Sequence, residues 1–253
     1  MLAVILYHGC RLHGLCVAGA QRVLRDAMSH IRSRRAPFAL LVKKNCFGPY
    51  EFRPPVSPYS LTREAAIRVL LREVGERDPI VSTTGFASRE VFELREELGQ
   101  DHSRDFLTVG SMGHASAIAM GIAIARPSRS VVCLDGDGAL AMHMGNALTI
   151  GLRGPANLLH VLLNNGVHDS VGGQDTGMYG VDFEKVAYGL GYSNYSRAET
   201  ADEIIAGYRT CKAQTNGPSF LEIRVKAGAR DNLGRPTTTP QQNRDAFMRF
   251  LQN

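Results

Sequence analysis

The sequence lacks tryptophan, contains only five cysteines among 253 residues, and has no long uninterrupted apolar run. A membrane-spanning helix needs about 20 consecutive, mostly apolar residues, so the sequence predicts no membrane span. The apolar run at residues 1–7 has no basic residue before it, which argues against a signal peptide. An odd number of cysteines without metal-type or redox-type spacing argues against a disulfide scaffold. We therefore expect a cytoplasmic protein, with a mitochondrial address as the alternative because the first 35 residues are rich in arginine.

Internal repeats and low-complexity tracts are also missing from the sequence. The composition, 44% hydrophobic and 21% charged, is that of an ordinary globular protein. The net charge of +5 is modest. Without a nucleic-acid-binding module or interleaved aromatic residues, such a charge suits a small anionic ligand at least as well as a nucleic acid. We expect neither a nucleic acid nor a membrane as partner.

Prolines are concentrated in one stretch of the chain, where they exclude a helix interior or a central strand. This predicts a linker at residues 53–60 between a short segment, residues 1–52, and a main domain, residues 61–253. The short segment shows helical apolar spacing at residues 20–34 and a strand pattern at Phe38–Val42. One helix and one strand cannot bury a core alone. The segment is therefore expected either to dock on the main domain or to be the remnant of a larger neighbour.

After the linker, helical and strand patterns alternate, and the strand patterns are continuously apolar. This alternation predicts an α/β fold with a parallel sheet and helices on both faces. In such folds, ligands bind at the carboxyl ends of the strands. The predicted helices are residues 62–76, 88–98, 115–125, 139–151, 182–189 and 201–215, and the predicted strands are residues 79–83, 105–109, 130–134, 158–164 and 219–225.

The most informative pattern begins where the strand at residues 130–134 runs into Gly136-Asp137-Gly138 and a helix starts at Ala139. The first backbone N–H groups of a helix have no partner within the helix and suit a diphosphate. Glycines allow the backbone to approach the phosphate closely. Twenty-five residues, 139–163, separate this motif from Asn164-Asn165 at the end of the next strand.

Two strand ends joined by one helix bring Asp137 close to Asn165. A carboxylate oxygen of Asp137, the side-chain carbonyl of Asn165 and the backbone carbonyl of Val167 are hard oxygen ligands of the kind that Mg²⁺ prefers. Two diphosphate oxygens and a water would complete an octahedron. The sequence therefore predicts a magnesium-diphosphate site.

This constellation resembles the signature of the thiamine-diphosphate enzymes, Gly-Asp-Gly followed after about two dozen residues by Asn-Asn. The resemblance implies thiamine diphosphate and Mg²⁺ as cofactors. It also implies that the loop Gly110-Ser111-Met112 passes under the aminopyrimidine ring, with Met112 holding the cofactor in its bent shape. The alternative for Met112 is that it fills the core. Thr84 and Gly85 are expected near the diphosphate, or else form only a strand-ending turn.

The amino-acid sequences of several segments are similar to those of phosphonopyruvate decarboxylases, notably at residues 83–90, 110–116, 168–174 and 231–236. The resemblance implies decarboxylation of phosphonopyruvate to phosphonoacetaldehyde and CO₂. A phosphonate needs cationic contacts, for which we expect Arg230 and Arg235, unless this basic stretch is only a solvated loop. His168 and His114 are the candidate catalytic residues. His168 could transfer a proton or bind the phosphonate. The alternative is that it is only a surface histidine or a helix-capping histidine. A sulfopyruvate decarboxylase or an acetolactate-synthase-like subunit is the alternative function.

One departure from the family pattern concerns a glutamate. In the family, a pyrimidine-binding domain supplies a glutamate that activates the cofactor, and no glutamate of this sequence lies in the matching context. Residues 1–52 resemble only the last helix and strand of that domain. We therefore expect a homo-oligomer or a partner chain that supplies the domain, with an inactive truncated form as the alternative.

Overall fold

The computed structural model describes residues 3–7, 15–42 and 56–252. The chain divides into two compact units, Met1–Arg53 and Pro54–Asn253. The first part of the predicted linker at residues 53–60 lies outside the described residues. From residue 56 to residue 60 the chain forms neither helix nor strand.

The N-terminal unit contains strand β1 (Ala3–Tyr7), helix α1 (Leu15–Arg34) and strand β2 (Phe38–Val42), and the two strands pair in parallel. The prediction of one helix and one strand was therefore incomplete, because Ala3–Tyr7 forms a second strand. The helix also begins earlier than residue 20. Its apolar side chains are poorly covered, since Leu24, Met28 and Ile31 are all at least 40% exposed.

The C-terminal unit is built on a six-stranded sheet with strand order β4-β3-β5-β6-β8-β7, in which all neighbouring strands are parallel. This confirms the predicted α/β class. The strands are β3 (Ile80–Ser82), β4 (Asp105–Leu107), β5 (Val131–Gly136), β6 (Leu158–Asn164), β7 (Asn194–Ala198) and β8 (Ser219–Arg224). The helices of this unit are α2 (Arg63–Glu73), α3 (Phe86–Glu97), α4 (Ala115–Ala125), α5 (Asp137–Met142), α6 (Gly145–Arg153), α7 (Phe183–Gly189), α8 (Ala201–Lys212) and α9 (Pro240–Gln252).

Helices cover both faces of this sheet. Alternate residues of β5 pack against helices on opposite faces. Val132 and Leu134 belong to the hydrophobic cluster formed with α2, α3 and α8. Val131 and Cys133 belong to the opposite cluster, formed with α4, α6 and α7. Both faces of a central strand are therefore buried, which explains why its sequence is continuously apolar.

The predicted helix at residues 139–151 is wrong in detail, because the structure has two helices there. Helix α5 begins at Asp137, two residues earlier than predicted, and ends at Met142. Helix α6 starts at Gly145. The break at residues 143–144 lets the chain turn beside the loop at Gly113, whose carbonyl accepts a hydrogen bond from the Asn146 side chain (2.9 Å).

Two elements of the C-terminal unit were not predicted. Strand β7 lies at a sheet edge and pairs only with β8, so its mixed sequence Asn-Tyr-Ser-Arg-Ala needs no apolar run. Helix α9 buries Phe247 and Leu251. Its Asn243 side chain accepts a hydrogen bond from the N–H of Leu107 (3.1 Å) and donates one to the carbonyl of Asp105 (2.8 Å). The helix thus covers the other edge strand, β4.

None of the helices in the described residues has the length and hydrophobicity that a bilayer span requires.

Candidate functional site

A cleft lies where the carboxyl ends of strands β3, β5 and β6 meet. These three strands are neighbours in the sheet and run parallel, so the loops that follow them reach the same edge. The sequence-predicted residues that line this cleft are Thr84, Met112, Gly136, Asp137, Gly138, Ala139, Asn165, Val167 and His168.

The carboxylate of Asp137 is the most buried charge of the cleft, with only 2% of the residue exposed. Burial raises the pKa of the Asp137 carboxyl to about 6, although the Thr176 hydroxyl and backbone N–H groups donate hydrogen bonds to it and lower the pKa. A buried carboxylate without a cationic partner costs free energy. A bound cation would offset that cost.

Asn165 and Val167 extend the chain from β6 along the other side of the cleft, and both are 4% exposed. The amide nitrogen of Asn165 donates to Asp169 (2.6 Å), which fixes the orientation of the amide group. Its oxygen accepts a bond from the N–H of Val167 (3.2 Å) and keeps a second lone pair. The oxygen donors predicted for a metal are thus brought to one place.

Glycines are required at two points of the cleft by close approach of side chains. A Cβ at Gly138 would lie 2.4 Å from the Nδ1 atom of His168, so the imidazole ring packs directly over the loop that follows β5. Gly166 has φ +72°, and a Cβ there would lie 2.6 Å from the Tyr179 ring. The loop that carries His168 therefore packs closely against the loop that follows β5.

The helix that begins at Asp137 has only six residues. Its dipole is correspondingly weaker than that of the long helix expected from the sequence. Helix α3, with 12 residues, begins at Phe86 beside the same cleft, after Gly85 with φ +99°. The Thr83 hydroxyl, which lines the cleft, is buried and has no hydrogen-bond partner among the described residues. Such an orphaned hydroxyl suits an oxygen-rich ligand.

The predicted loop at Gly110-Ser111-Met112 is folded tightly, with φ +81° at Gly110 and +47° at Ser111. Among these three residues, Met112 is the one that lines the cleft. Gly110 donates its N–H to the Thr84 hydroxyl (3.0 Å), which ties the loop to the end of β3. His114 is exposed, does not line the cleft, and lies with its ring 4.2 Å from that of His143.

The two predicted substrate-binding arginines lie in different surroundings. Arg230 does not line the cleft and forms ion pairs with Glu64 (3.1 Å) and Glu93. Arg235 lines a second cavity, which adjoins the cleft at Thr84. The structure therefore separates two residues that the sequence grouped together.

Sequence reasoning missed a buried ion-pair network at the cleft, in which Arg63 and Asp169 belong to the lining. The guanidinium of Arg63 makes two hydrogen bonds to Glu90 (2.8 and 2.9 Å) and one to Asp169 (2.8 Å). Asp169 in turn accepts a hydrogen bond from the side-chain amide of Asn165. Burial raises the pKa of Glu90, and the Arg63 guanidinium counteracts part of this effect. The partners are 27 and 106 residues apart in the chain, so no local pattern marks them.

The chain is similar to thiamine-dependent enzymes in sequence. The family model described as "Thiamine pyrophosphate enzyme, C-terminal TPP binding domain" matches residues 88–223, more than half of the chain. Phosphonopyruvate decarboxylases of Streptomyces viridochromogenes and Streptomyces hygroscopicus are 39% and 34% identical over 79% and 91% of this chain, and over 48% and 54% of their own length. The chain therefore spans about half the length of these relatives.

A shorter relative is covered more completely. The sulfopyruvate decarboxylase subunit beta of Methanothermobacter thermautotrophicus is 36% identical over 62% of this chain and 78% of its own length. A solved structure from Mycobacterium smegmatis, described as a thiamin diphosphate-dependent enzyme, has a TM-score of 0.55 at 21% identity, over 73% of this chain and 38% of that chain. At this identity the structural likeness shows the fold alone.

We predict that Arg63→Met lowers the free energy of unfolding by about 3–5 kcal/mol, because it leaves Glu90 and Asp169 buried without a cation. The matched control is Arg68→Met on the same helix. Arg68 pairs with Glu97 where both side chains are at least 34% exposed, so its loss should cost less than about 1 kcal/mol. Urea unfolding followed by circular dichroism measures both. Equal small losses would show that the buried network does not stabilise the cleft.

Proposed function

Because the chain belongs to the thiamine pyrophosphate enzymes, through their C-terminal TPP-binding domain, we propose that it forms the diphosphate- and magnesium-binding half of a decarboxylase. The substrate would be a 2-oxo acid that carries a second, tetrahedral anionic group. The observation that supports this proposal most directly is the buried carboxylate of Asp137, which shares one cleft with the oxygens of Asn165 and Val167.

The residues of the cleft fit the cofactor and its metal. Asp137, Asn165 and Val167 would supply three oxygen ligands to Mg²⁺, one of them a carboxylate, which is the mixed oxygen set that this ion prefers. The unpartnered hydroxyl of Thr83 would donate to a diphosphate oxygen. N–H groups at the start of α3, near Gly85, would donate to the others.

Other residues of the cleft would orient the reacting groups. Thiamine diphosphate, when bound, supplies the nucleophilic carbon and the electron sink for the loss of CO₂. Met112 offers an apolar surface at the cleft. The imidazole of His168 packs over Gly138, where it would hold or move the proton that replaces CO₂. Binding of the second anionic group is the alternative role for His168. His114, outside the cleft, keeps its catalytic role only as a prediction.

The relatives support two substrates with the same chemical character. Phosphonopyruvate is the leading proposal, since the two phosphonopyruvate decarboxylases match 79% and 91% of this chain. Sulfopyruvate is the second candidate, favoured by the decarboxylase subunit beta of which the chain covers 78%. Both carry a tetrahedral anion next to the reacting 2-oxo acid.

The catalytic unit would need a glutamate from outside this sequence. We found no glutamate of this sequence in the family's context for activating the cofactor, and the glutamate Glu90 is occupied by Arg63. The sulfopyruvate relatives, which are named as subunits, support assembly with a partner chain. A homo-oligomer is the alternative assembly, although a second copy of the same sequence would not add that glutamate.

We predict that Asp137→Asn abolishes magnesium-dependent binding of thiamine diphosphate, because an amide cannot replace a carboxylate as an anionic ligand. In metal-free buffer the variant should unfold with a free energy equal to or above that of the wild type, since a buried charge is removed and an oxygen remains for the Thr176 hydroxyl. Titration calorimetry and urea unfolding measure the two effects.

The control for this variant is Asp202→Asn, an exposed carboxylate in the first turn of α8. It should bind thiamine diphosphate with wild-type affinity. Because Asp137→Asn is expected to stay folded, lost binding cannot be attributed to unfolding. Wild-type cofactor affinity in Asp137→Asn would contradict the assignment of this residue to the metal.

The decarboxylase proposal is tested by reconstitution with a second polypeptide. The half of the Streptomyces hygroscopicus phosphonopyruvate decarboxylase that this chain does not match is expressed separately and mixed with it. We expect CO₂ release from phosphonopyruvate or sulfopyruvate, well above that from pyruvate, and none from this chain alone. Turnover by the isolated chain would contradict the need for a partner. An inactive mixture that still binds the cofactor would contradict the decarboxylase function and favour the inactive form.

A further inference from the structure

A second cavity of about 410 Å³ opens beside the cleft, at the carboxyl ends of β3 and β4. The two spaces share Thr84, Phe86 and Ser170 in their walls. The far wall of the cavity is formed by the segment that leads into α9, beginning at Arg235. A molecule with one end in the cleft could therefore extend its other end into this cavity.

Arg235 carries a positive charge that nothing in the described part of the chain neutralises. Its side chain is exposed and lines the cavity, and no described carboxylate lies within 4.0 Å of its guanidinium. Arg230 differs in this respect, because Glu64 and Glu93 both pair with it. Of Arg230 and Arg235, it is therefore Arg235 whose charge is available to bind an anion.

Arg89 adds a second guanidinium to the same cavity. It stacks on the Phe86 ring, 5.2 Å from the centroid, and donates hydrogen bonds to the carbonyls of Leu233 and Gly234. Carbonyl groups orient a guanidinium but do not cancel its charge. These bonds also fix the backbone immediately before Arg235.

The carboxylate of Glu93, which lies beside this segment, already has partners. Glu93 pairs with Arg230 and accepts the N–H of Gly234 (2.6 Å). Arg230 therefore removes a negative charge from the neighbourhood of the cavity, which leaves Arg89 and Arg235 as a net cationic pair. Guanidinium groups are well suited to bind the oxygens of a phosphonate or sulfonate.

We propose that this cavity is the subsite for the tetrahedral anionic group of the substrate, with Arg235 and Arg89 as its charged donors. The inference rests on the proposed function, since it places the 2-oxo acid end of the same molecule in the cleft. The hydroxyl groups of Thr84 and Ser170 flank the passage between the two spaces. Thr84 accepts a hydrogen bond from Gly110, which leaves its own proton available to a ligand.

The experiment measures binding of phosphonoacetate to the full chain by titration calorimetry at low ionic strength. Arg235→Gln and Arg89→Gln should each weaken binding at least tenfold, and Arg235→Lys should restore part of the loss. The control Arg209→Gln, which changes an exposed arginine of α8 that lines neither the cleft nor the cavity, should change the affinity by no more than twofold. Sulfoacetate is measured in parallel, and the tighter of the two ligands identifies the preferred anion class.

The outcome separates this subsite from the cofactor site. Saturation with thiamine diphosphate and Mg²⁺ should leave phosphonoacetate bound, and Asp137→Asn, which should lose the cofactor, should keep wild-type affinity for phosphonoacetate. Failure of cofactor binding alone would then overturn the proposed function but not the anion subsite. Displacement of phosphonoacetate by the cofactor, undetectable binding of both ligands, or equal effects of Arg209→Gln and Arg235→Gln would overturn the subsite.

Discussion

The carboxylate of Asp137 sits buried at the end of a central strand, and the cleft is arranged around it. A charge in that position is unfavourable unless it is met by donors or by a cation. The structure supplies the Thr176 hydroxyl and backbone N–H groups, yet burial still raises the pKa of the carboxyl to about 6. Burying the ionised carboxylate is therefore unfavourable for folding. Groups with such shifted pKa values are common at functional sites.

The neighbouring elements are organised so that other oxygen atoms face the same point. Parallel pairing of β5 with β6 brings Asn165 beside Asp137. The ion-pair network of Arg63 with Glu90 and Asp169 then fixes the Asn165 amide. A residue on α2 thus orients the Asn165 amide through one intermediate carboxylate, that of Asp169. Arg63 and Asp169 also line the cleft, so the network is part of the site.

The sequence predicted the parts of the fold and site that local patterns encode. Continuous apolar strands and the Gly136-Asp137-Gly138 motif with Asn165 were sufficient for the parallel sheet and its cleft. The break between α5 and α6 was missed, since it depends on how the Gly113 loop packs against Asn146. The pairing of Arg63 with Glu90 is a contact across 27 residues, which no periodicity reveals.

We propose that the oxygens of Asp137, Asn165 and Val167 jointly hold a divalent ion with thiamine diphosphate. A crystal structure of the chain grown with thiamine diphosphate and Mn²⁺ in place of Mg²⁺ would locate this ion. We expect one anomalous peak in the cleft, within bonding distance of all three oxygens and of two diphosphate oxygens, at about 2.0–2.3 Å. A peak elsewhere, or a cofactor bound without metal at Asp137, would contradict it.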